Sequence, residues 1–367
     1  MYLNNISLIN FRNIKELNLS FNKSIIIFYG DNGQGKTNIV ESIYALANAT
    51  SFRTSYFKEM INNTSDEAIV IGKVIKGKGE YTYRIVLNKS GKTAYINDVL
   101  VNKISEYIGN LNVVCFSPED VYLFKDSPGI RRNFLNKELS MLFPIYIKQL
   151  IAFKDILEER NNLLKKKIDY NLLDVINEKI VESSYIIYIR RKWLIEKIEE
   201  FATNIYFNVS NENKRIKIIY NSFINELDKE AYLNKALKLY NDTINKDIER
   251  QYTINGIHKD DFKVYLDDML IDMYASQGQQ RLISLCIKLA VGEIVNKANK
   301  SEPIIILDDA FSELDLIKKE RVFKYLLTKE QVFITCTNYQ EIISTNIPLN
   351  TKVIKIKEGL VEERSSN

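Results

Sequence analysis

A single histidine, His258, serves all 367 residues. Sites needing two or more imidazoles, such as a helical zinc site with His at i and i+4, are therefore excluded. Cysteine is nearly as rare: Cys115, Cys286 and Cys336 lie far apart, with no C-x-x-C. Neither a zinc ribbon nor a disulfide framework follows, and a reducing cytoplasm is the expected compartment. Long apolar runs are missing too. The longest, such as Ile25–Tyr29 and Ile304–Leu307, fall far short of the ~20 residues of a membrane span, so a soluble chain with no membrane partner is expected. No charged start leads into an apolar stretch at the N-terminus, so no secretory signal is expected. Charge of one sign is not in excess: 51 basic against 47 acidic residues leave +4, which permits an anionic partner without demanding one. Glycine is sparse, 13 in 367, about half the usual ~7%. Yet Gly30, Gly33 and Gly35 fall within six residues.

What is present divides the chain in three. Residues 1–125 read as strand-rich with one helix. Ile25–Tyr29 is a short apolar strand, and Thr37–Ala49 carries Ile39, Val40, Ile43, Leu46 and Ala47 at helical spacing. Tyr81–Leu87 and Thr93–Ile96, split by Asn88-Lys89-Ser90-Gly91, and then Asn97-Asp98 before Val99, are hairpin signals. Residues 126–249 read as mostly helical, interrupted by a short strand at Arg215–Tyr220. From Tyr252 onward strands return: a hairpin over Phe262–Tyr274, a helix over Gln280–Val295, then strands at Pro303–Leu307, Val332–Thr335 and Val353–Ile356. The simplest architecture is a discontinuous α/β head, 1–125 and 250–367, with a helical lobe, 126–249, inserted into it.

Gly30-Asp31-Asn32-Gly33-Gln34-Gly35-Lys36-Thr37 fits G-x-x-x-x-G-K-[ST] without a mismatch, between an apolar strand and an amphipathic helix. Glycines let the backbone curl so that several N–H groups face a polyphosphate, and the helix adds its positive end. Lys36 is expected on the β/γ-phosphates of ATP, and the Thr37 hydroxyl on Mg²⁺. The metal-holding acid is expected at the end of Ile304-Ile305-Ile306-Leu307-Asp308-Asp309, at the strand edge where open α/β sheets bind ligands. Asp308 would hold Mg²⁺, and Asp309 would orient or deprotonate the attacking water. The catalytic set is thus Lys36 and Asp309.

Tyr274-Ala275-Ser276-Gln277-Gly278-Gln279-Gln280-Arg281 precedes the second head helix and resembles the signature motif of ABC-type ATPases. Ser312-Glu313-Leu314-Asp315 resembles their D-loop. These join an ordered set: Leu8–Asn13, Gly30–Thr37, Ser51–Thr54, Phe116–Asp120, Arg131–Leu135, His258–Asp261, Ser276–Arg281 and Leu307–Asp315. With that set the chain resembles the RecF family of bacterial SMC-like ATPases over essentially its whole length.

The resemblance implies an ABC-type P-loop head of mixed sheets and helices with an inserted helical lobe. It implies an ATPase with weak, DNA-stimulated turnover that acts as a clamp on double-stranded and gapped DNA in repair, replication and the SOS response. An ATP-dependent head-to-tail homodimer is implied, with RecR and RecO as partners and RecA loading as the outcome. It adds Arg12 to the nucleotide-binding set, and places Ser276, Gln277, Gly278 and Gln279 against the nucleotide of the other subunit. The stretch where ABC transporters carry a switch histidine reads Thr335-Cys336-Thr337, which opposes a transporter-driving ATPase. A nuclease-linked ATPase would need an additional acidic metal domain, which is not expected here. A binding-only protein would not need both Lys36 and Asp309.

Candidate DNA contacts are Lys73, Lys76, Lys78, Arg84, Lys89 and Lys92, six basic residues with one acid, Glu80, between them. On hairpins they could track phosphates, or guard a solvated sheet edge against aggregation. Lys165–Lys167 and Arg190–Lys192 are shorter basic runs, read as solvated faces of the lobe. The lobe shows no sustained heptad, so it is expected to be compact or a short finger. His258 could sense nucleotide or be a hydrogen-bonded structural residue.

Overall fold

Ile25–Tyr29, Ile304–Asp308 and Val332–Cys336 are short, rich in Ile, Val and Phe, and almost wholly buried. That is the pattern of strands inside a parallel sheet covered on both faces. In the computed structural model, which describes residues 1–166, 168–343 and 348–362, Val332–Cys336 lies between the other two and pairs parallel with each. Thr351–Lys357 extends this sheet beyond Ile25–Tyr29, and Val113–Phe116 extends it beyond Ile304–Asp308. Antiparallel Leu360–Glu362 closes one edge. The P-loop strand and the acid strand are therefore next-but-one neighbours, and their C-terminal ends open on the same edge.

A second sheet is antiparallel, in the order Ile14–Ser20, Tyr2–Phe11, Glu67–Lys76, Gly79–Asn88, Gly91–Ile96, Val99–Val101. The turn at Asn97-Asp98 has φ of 50° and 62°, the left-handed pair that two-residue hairpins favour. Helix Lys36–Asn48 contacts strands of both sheets. Most of its residues are buried, and Ile39, Val40, Ile43, Leu46 and Ala47 all sit in one core with Leu3, Leu8, Val70, Ile85, Ile306 and Phe333.

The chain forms two compact units, Met1–Val121 with Phe201–Arg215 and Ala275–Asn367, and Tyr122–Glu200 with Ile216–Tyr274. These bounds differ from the head and lobe expected at 125/126 and 249/250. Strand Asp261–Leu266 pairs along its length with Ile216–Asn221, so the hairpin expected in the head belongs with the lobe's own strand. Helix Tyr170–Ser210 runs 41 residues, ~60 Å at 1.5 Å per residue, and from Phe201 it is assigned to the first unit. The predicted strand Met269–Tyr274 ends at Leu270, where Ile271–Tyr274 turns helical.

In the second unit, prolines open the helices Pro128–Leu142 and Pro144–Leu164, where the missing N–H costs nothing. His258–Asp261 staples this unit internally. Arg131 donates to both Asp261 carboxylate oxygens, at 2.6 and 3.0 Å. Asp260 accepts from the Tyr220 hydroxyl at 2.6 Å and the Phe223 amide at 3.0 Å. His258 Nε2 donates to the Thr253 carbonyl at 3.1 Å, and burial pushes the imidazole down to about 4. Burial thus favours the neutral ring, whose Nε2 bond stays within this unit. Lys167, the end of one predicted basic run, lies outside the described residues. Among the described residues no helix is long and apolar enough to cross a membrane.

Candidate nucleotide-binding site

The loop from Gly30 to Gly35 takes its shape from glycine. Gly30 has φ of 141°, and a Cβ there would meet the Ile356 carbonyl oxygen at 2.5 Å. Gly35 caps the helix at φ 99°. Both conformations are open to glycine and strained for other residues. The loop is braced from the C-terminal hairpin: the Gly359 amide donates to the Gln34 carbonyl at 2.8 Å, and the Glu358 amide to Gln34 Oε1 at 2.7 Å.

A cavity of about 510 Å³ lies over this loop, lined by Asn32 to Asn38, Asp308, Asp309 and Thr335 to Thr337, together with Asn13, Arg53 and Pro118. Lys36 is 8% exposed, and its ammonium donates to the Gly30 and Asp31 carbonyls at 2.6 and 2.7 Å. Burial lowers its pKa, while Asp308, Asp309 and Asp31 pull it back up.

Asp308 is buried, and its Oδ1 accepts from the Thr37 hydroxyl at 2.9 Å and the Thr335 hydroxyl at 2.6 Å. Burial pushes this carboxyl above its ordinary value, and the two hydroxyls counter that by bonding the ionised form. Thr335 also accepts from the Asp309 amide at 3.0 Å. One hydroxyl on the middle strand thus joins both carboxylate residues. Nothing in the local sequence marks Thr335 for this part; only the strand order, with Val332–Cys336 between the P-loop and acid strands, brings it there. Asp309 has φ of 48°, and its side chain, 47% exposed, reaches the cavity. Beside it the Cys336 thiol is pushed up to about 12 by burial, so it offers no thiolate nucleophile.

Arg12 stands apart from that cavity's lining. Its guanidinium grips the fully buried Glu41 of the P-loop helix, at 3.0 and 2.6 Å, and lines an adjoining cavity that shares Asn13, Asn38 and Arg53 with the first. Arg53, from the Ser51–Thr54 segment, is therefore a basic side chain that lines both.

Ser276 caps helix Gln277–Asn299. Its hydroxyl accepts from the Gln279 amide, and the Gln279 side chain accepts from the Ser276 amide, a full capping box. Ser276 and Gln277 are exposed, and none of Ser276, Gln277, Gly278 or Gln279 lines the P-loop cavity. Gly278 makes its close approach within its own chain, 3.4 Å from its Cβ position to the Glu313 carbonyl oxygen.

The six candidate DNA contacts do not form one free basic face. Lys76 points inward, donating to the Tyr83 hydroxyl at 2.7 Å and to the Asn110 carbonyl, and burial pushes it down to about 8. Lys92 donates to the Ala49 carbonyl at 2.8 Å. Arg84 stacks on Tyr95 and pairs with Asp98, and Lys89 pairs with Asp66. Lys73 and Lys78 are exposed.

A model of the RecF/RecN/SMC N-terminal domain matches residues 2–359. The chain is 39% identical to the DNA replication and repair protein RecF of Clostridioides difficile over 91% of each chain. It is 34% identical to that of Macrococcus caseolyticus, over 98% of this chain and 99% of the relative. A solved structure of the recombination mediator protein RecF with ATP, of the RecFOR pathway, superposes with a TM-score of 0.88 at 29% identity, covering 98% of both chains. An Smc head from Pyrococcus furiosus shares the fold, with a TM-score of 0.56 at 15% identity, covering 98% of this chain and 95% of the other.

Proposed function

The chain belongs to the RecF family of RecF/RecN/SMC ATPases, and on that premise we propose that it is an ATPase whose nucleotide cycle closes and opens a clamp on DNA. The observation that carries the reading is a site divided within one chain. P-loop residues Asn32 to Thr37 and the acids Asp308 and Asp309 line the cavity, while Ser276–Gln279 stands outside it, with Ser276 and Gln277 exposed. A second copy arranged head to tail would set its signature helix, with the positive end forward, against the γ-phosphate. ATP would then be the joint of the homodimer.

Within the cavity, backbone amides of Gly33 to Thr37 would receive the phosphates, and the Lys36 ammonium would leave its two loop carbonyls for the β/γ oxygens. Thr37 Oγ1 and Asp308 Oδ1, 2.9 Å apart, are hard oxygen donors that fit Mg²⁺. When bound, that ion neutralises charge between the β- and γ-phosphates. Asp309 would accept the proton of the attacking water. Its carboxylate is one methylene shorter than the Glu of many ABC ATPases, which suits slow, DNA-stimulated turnover. Hydrolysis would dissolve the dimer and release double-stranded or gapped DNA. Solved relatives are described as recombination mediators of the RecFOR pathway, in line with RecR and RecO as partners; the reading extends to RecA loading as the outcome, in the cytoplasm.

Lys36→Arg and Asp309→Asn test the assignment. Lys36→Arg should lose both ATP-dependent dimerisation and hydrolysis. Asp309→Asn should retain ATP and DNA without turnover. Hydrolysis at the normal rate by Asp309→Asn would sink Asp309 as the base.

A further inference from the structure

We infer that Arg281 is a positioning residue for ATP hydrolysis, tying the signature helix of a chain to the carboxylate of its own active site. The inference rests on the reading of Asp309 as the base. Arg281 lies in the first turns of helix Gln277–Asn299 and is 5% exposed. Its Nη2 donates to the Asp309 main-chain carbonyl and approaches Asp309 Oδ2 at 3.4 Å. Its Nη1 lies 3.4 Å from Glu313 Oε1. Gly278, one turn earlier on the same helix face, closes against the Glu313 carbonyl. The guanidinium therefore reaches both ends of the loop 309–313, with the helix start packed against its far end at Gly278.

That grip matters because Asp309 sits where the chain is least free to choose. Its φ of 48° is left-handed, a conformation a non-glycine residue holds only when its surroundings impose it. Two partners impose it: Thr335 holds the amide, and Arg281 holds the carbonyl. A planar fork can bind the carbonyl and Glu313 together, which a single ammonium cannot. The same helix carries Ser276 and Gln277, the residues that would meet the nucleotide of a second copy. Any shift of that helix on dimer closure would therefore be delivered, through Arg281, to Asp309. Each signature motif would report the closing of one site to the base of the other.

Full-length Arg281→Gln, Arg281→Lys and Asp309→Asn, singly and combined, decide this. A ~1 Å misplacement of a reacting group can lower a rate ~100-fold. Arg281→Gln should lower kcat about 10- to 100-fold while leaving the KM for ATP and ATP-dependent dimerisation unchanged. Arg281→Lys should recover part of kcat, since an ammonium can still reach the Asp309 carbonyl. On the Asp309→Asn background, Arg281→Gln should not lower the residual single-turnover rate further. Wild-type kcat in Arg281→Gln, or a loss that multiplies with that of Asp309→Asn, would overturn the inference. Normal turnover by Asp309→Asn alone would instead remove the base reading on which it rests. Should Arg281→Gln melt early, Arg281→Lys with wild-type melting supplies the same readout: reduced kcat with unchanged KM supports the role, and unchanged kcat overturns it.

Discussion

Replacing Thr335 with Val removes one hydroxyl and little else, since the two side chains have nearly the same shape. Two bonds go with it: the 2.6 Å donation to Asp308 Oδ1 and the 3.0 Å acceptance from the Asp309 amide. A hydrogen bond to a charged group is worth about 1.5–3 kcal/mol, and every ~1.4 kcal/mol is tenfold in an equilibrium. Asp308 keeps only the Thr37 hydroxyl of the two, and its buried carboxylate becomes harder to hold ionised and aimed. The midpoint of Mg²⁺ activation of ATP hydrolysis should therefore rise about 10- to 100-fold in Thr335→Val. Thr335→Ser restores the hydroxyl and should stay within a few-fold of the parent. The assay is a Mg²⁺ titration of steady-state hydrolysis at fixed ATP, with melting temperatures as the control for folding. If Val and Ser variants titrate alike, the hydroxyl does not position the acid and the reasoning fails.

Three further outcomes follow from the same geometry. Gly30→Ala forces a Cβ to 2.5 Å from the Ile356 carbonyl oxygen at φ 141°; it should lose about 1–3 kcal/mol of stability with ATP binding, while Gly33→Ala, open on that side, should lose less, as read by denaturant unfolding and nucleotide titration. His258 titrates near 4 when folded and near ~6.5 when unfolded. The stability tied to its neutral form is complete above that unfolded value and is lost as pH falls toward 4. The gap is worth about 3 kcal/mol, so His258→Gln should flatten the pH profile of unfolding over that window; an unchanged profile would contradict the assignment. For DNA, Lys73→Glu with Lys78→Glu should weaken retention and lower the salt slope by ~1 per lost phosphate contact. Lys76→Met should leave that slope alone, and an equal effect from Lys76 would contradict its inward placement.

The phosphate loop and the acid at the strand end were legible because their sequence patterns are local. Eight consecutive residues from Gly30 to Thr37 carry the loop, and one apolar strand carries Asp308. What escaped depends on neighbours distant in sequence. Thr335 acts through strand order, and Arg281 through a helix meeting a loop 28 residues on. For the basic hairpins, a charge count ignores the two-residue period of a strand. Lys76 and Lys92 fall on the inner side with Tyr83 and Leu87, where their ammoniums find carbonyls in place of phosphates. The lobe boundary moved for a related reason. Ile216–Asn221 was visible as a strand, but its partner Asp261–Leu266 lies 40 residues on, and pairing decides to which unit both belong. The resemblance placed Arg12 at the nucleotide, whereas the fold sets its guanidinium on buried Glu41.

On this reading ATP joins two copies of this chain around DNA. Sedimentation of the full chain with ATP and Mg²⁺, with and without gapped duplex DNA, tests it most directly. The expected result is a monomer without nucleotide, a dimer with ATP that carries the DNA with it, and release of both as ATP is consumed, with Asp309→Asn trapped as the loaded dimer. A chain that stays monomeric with ATP and leaves the DNA behind would contradict it.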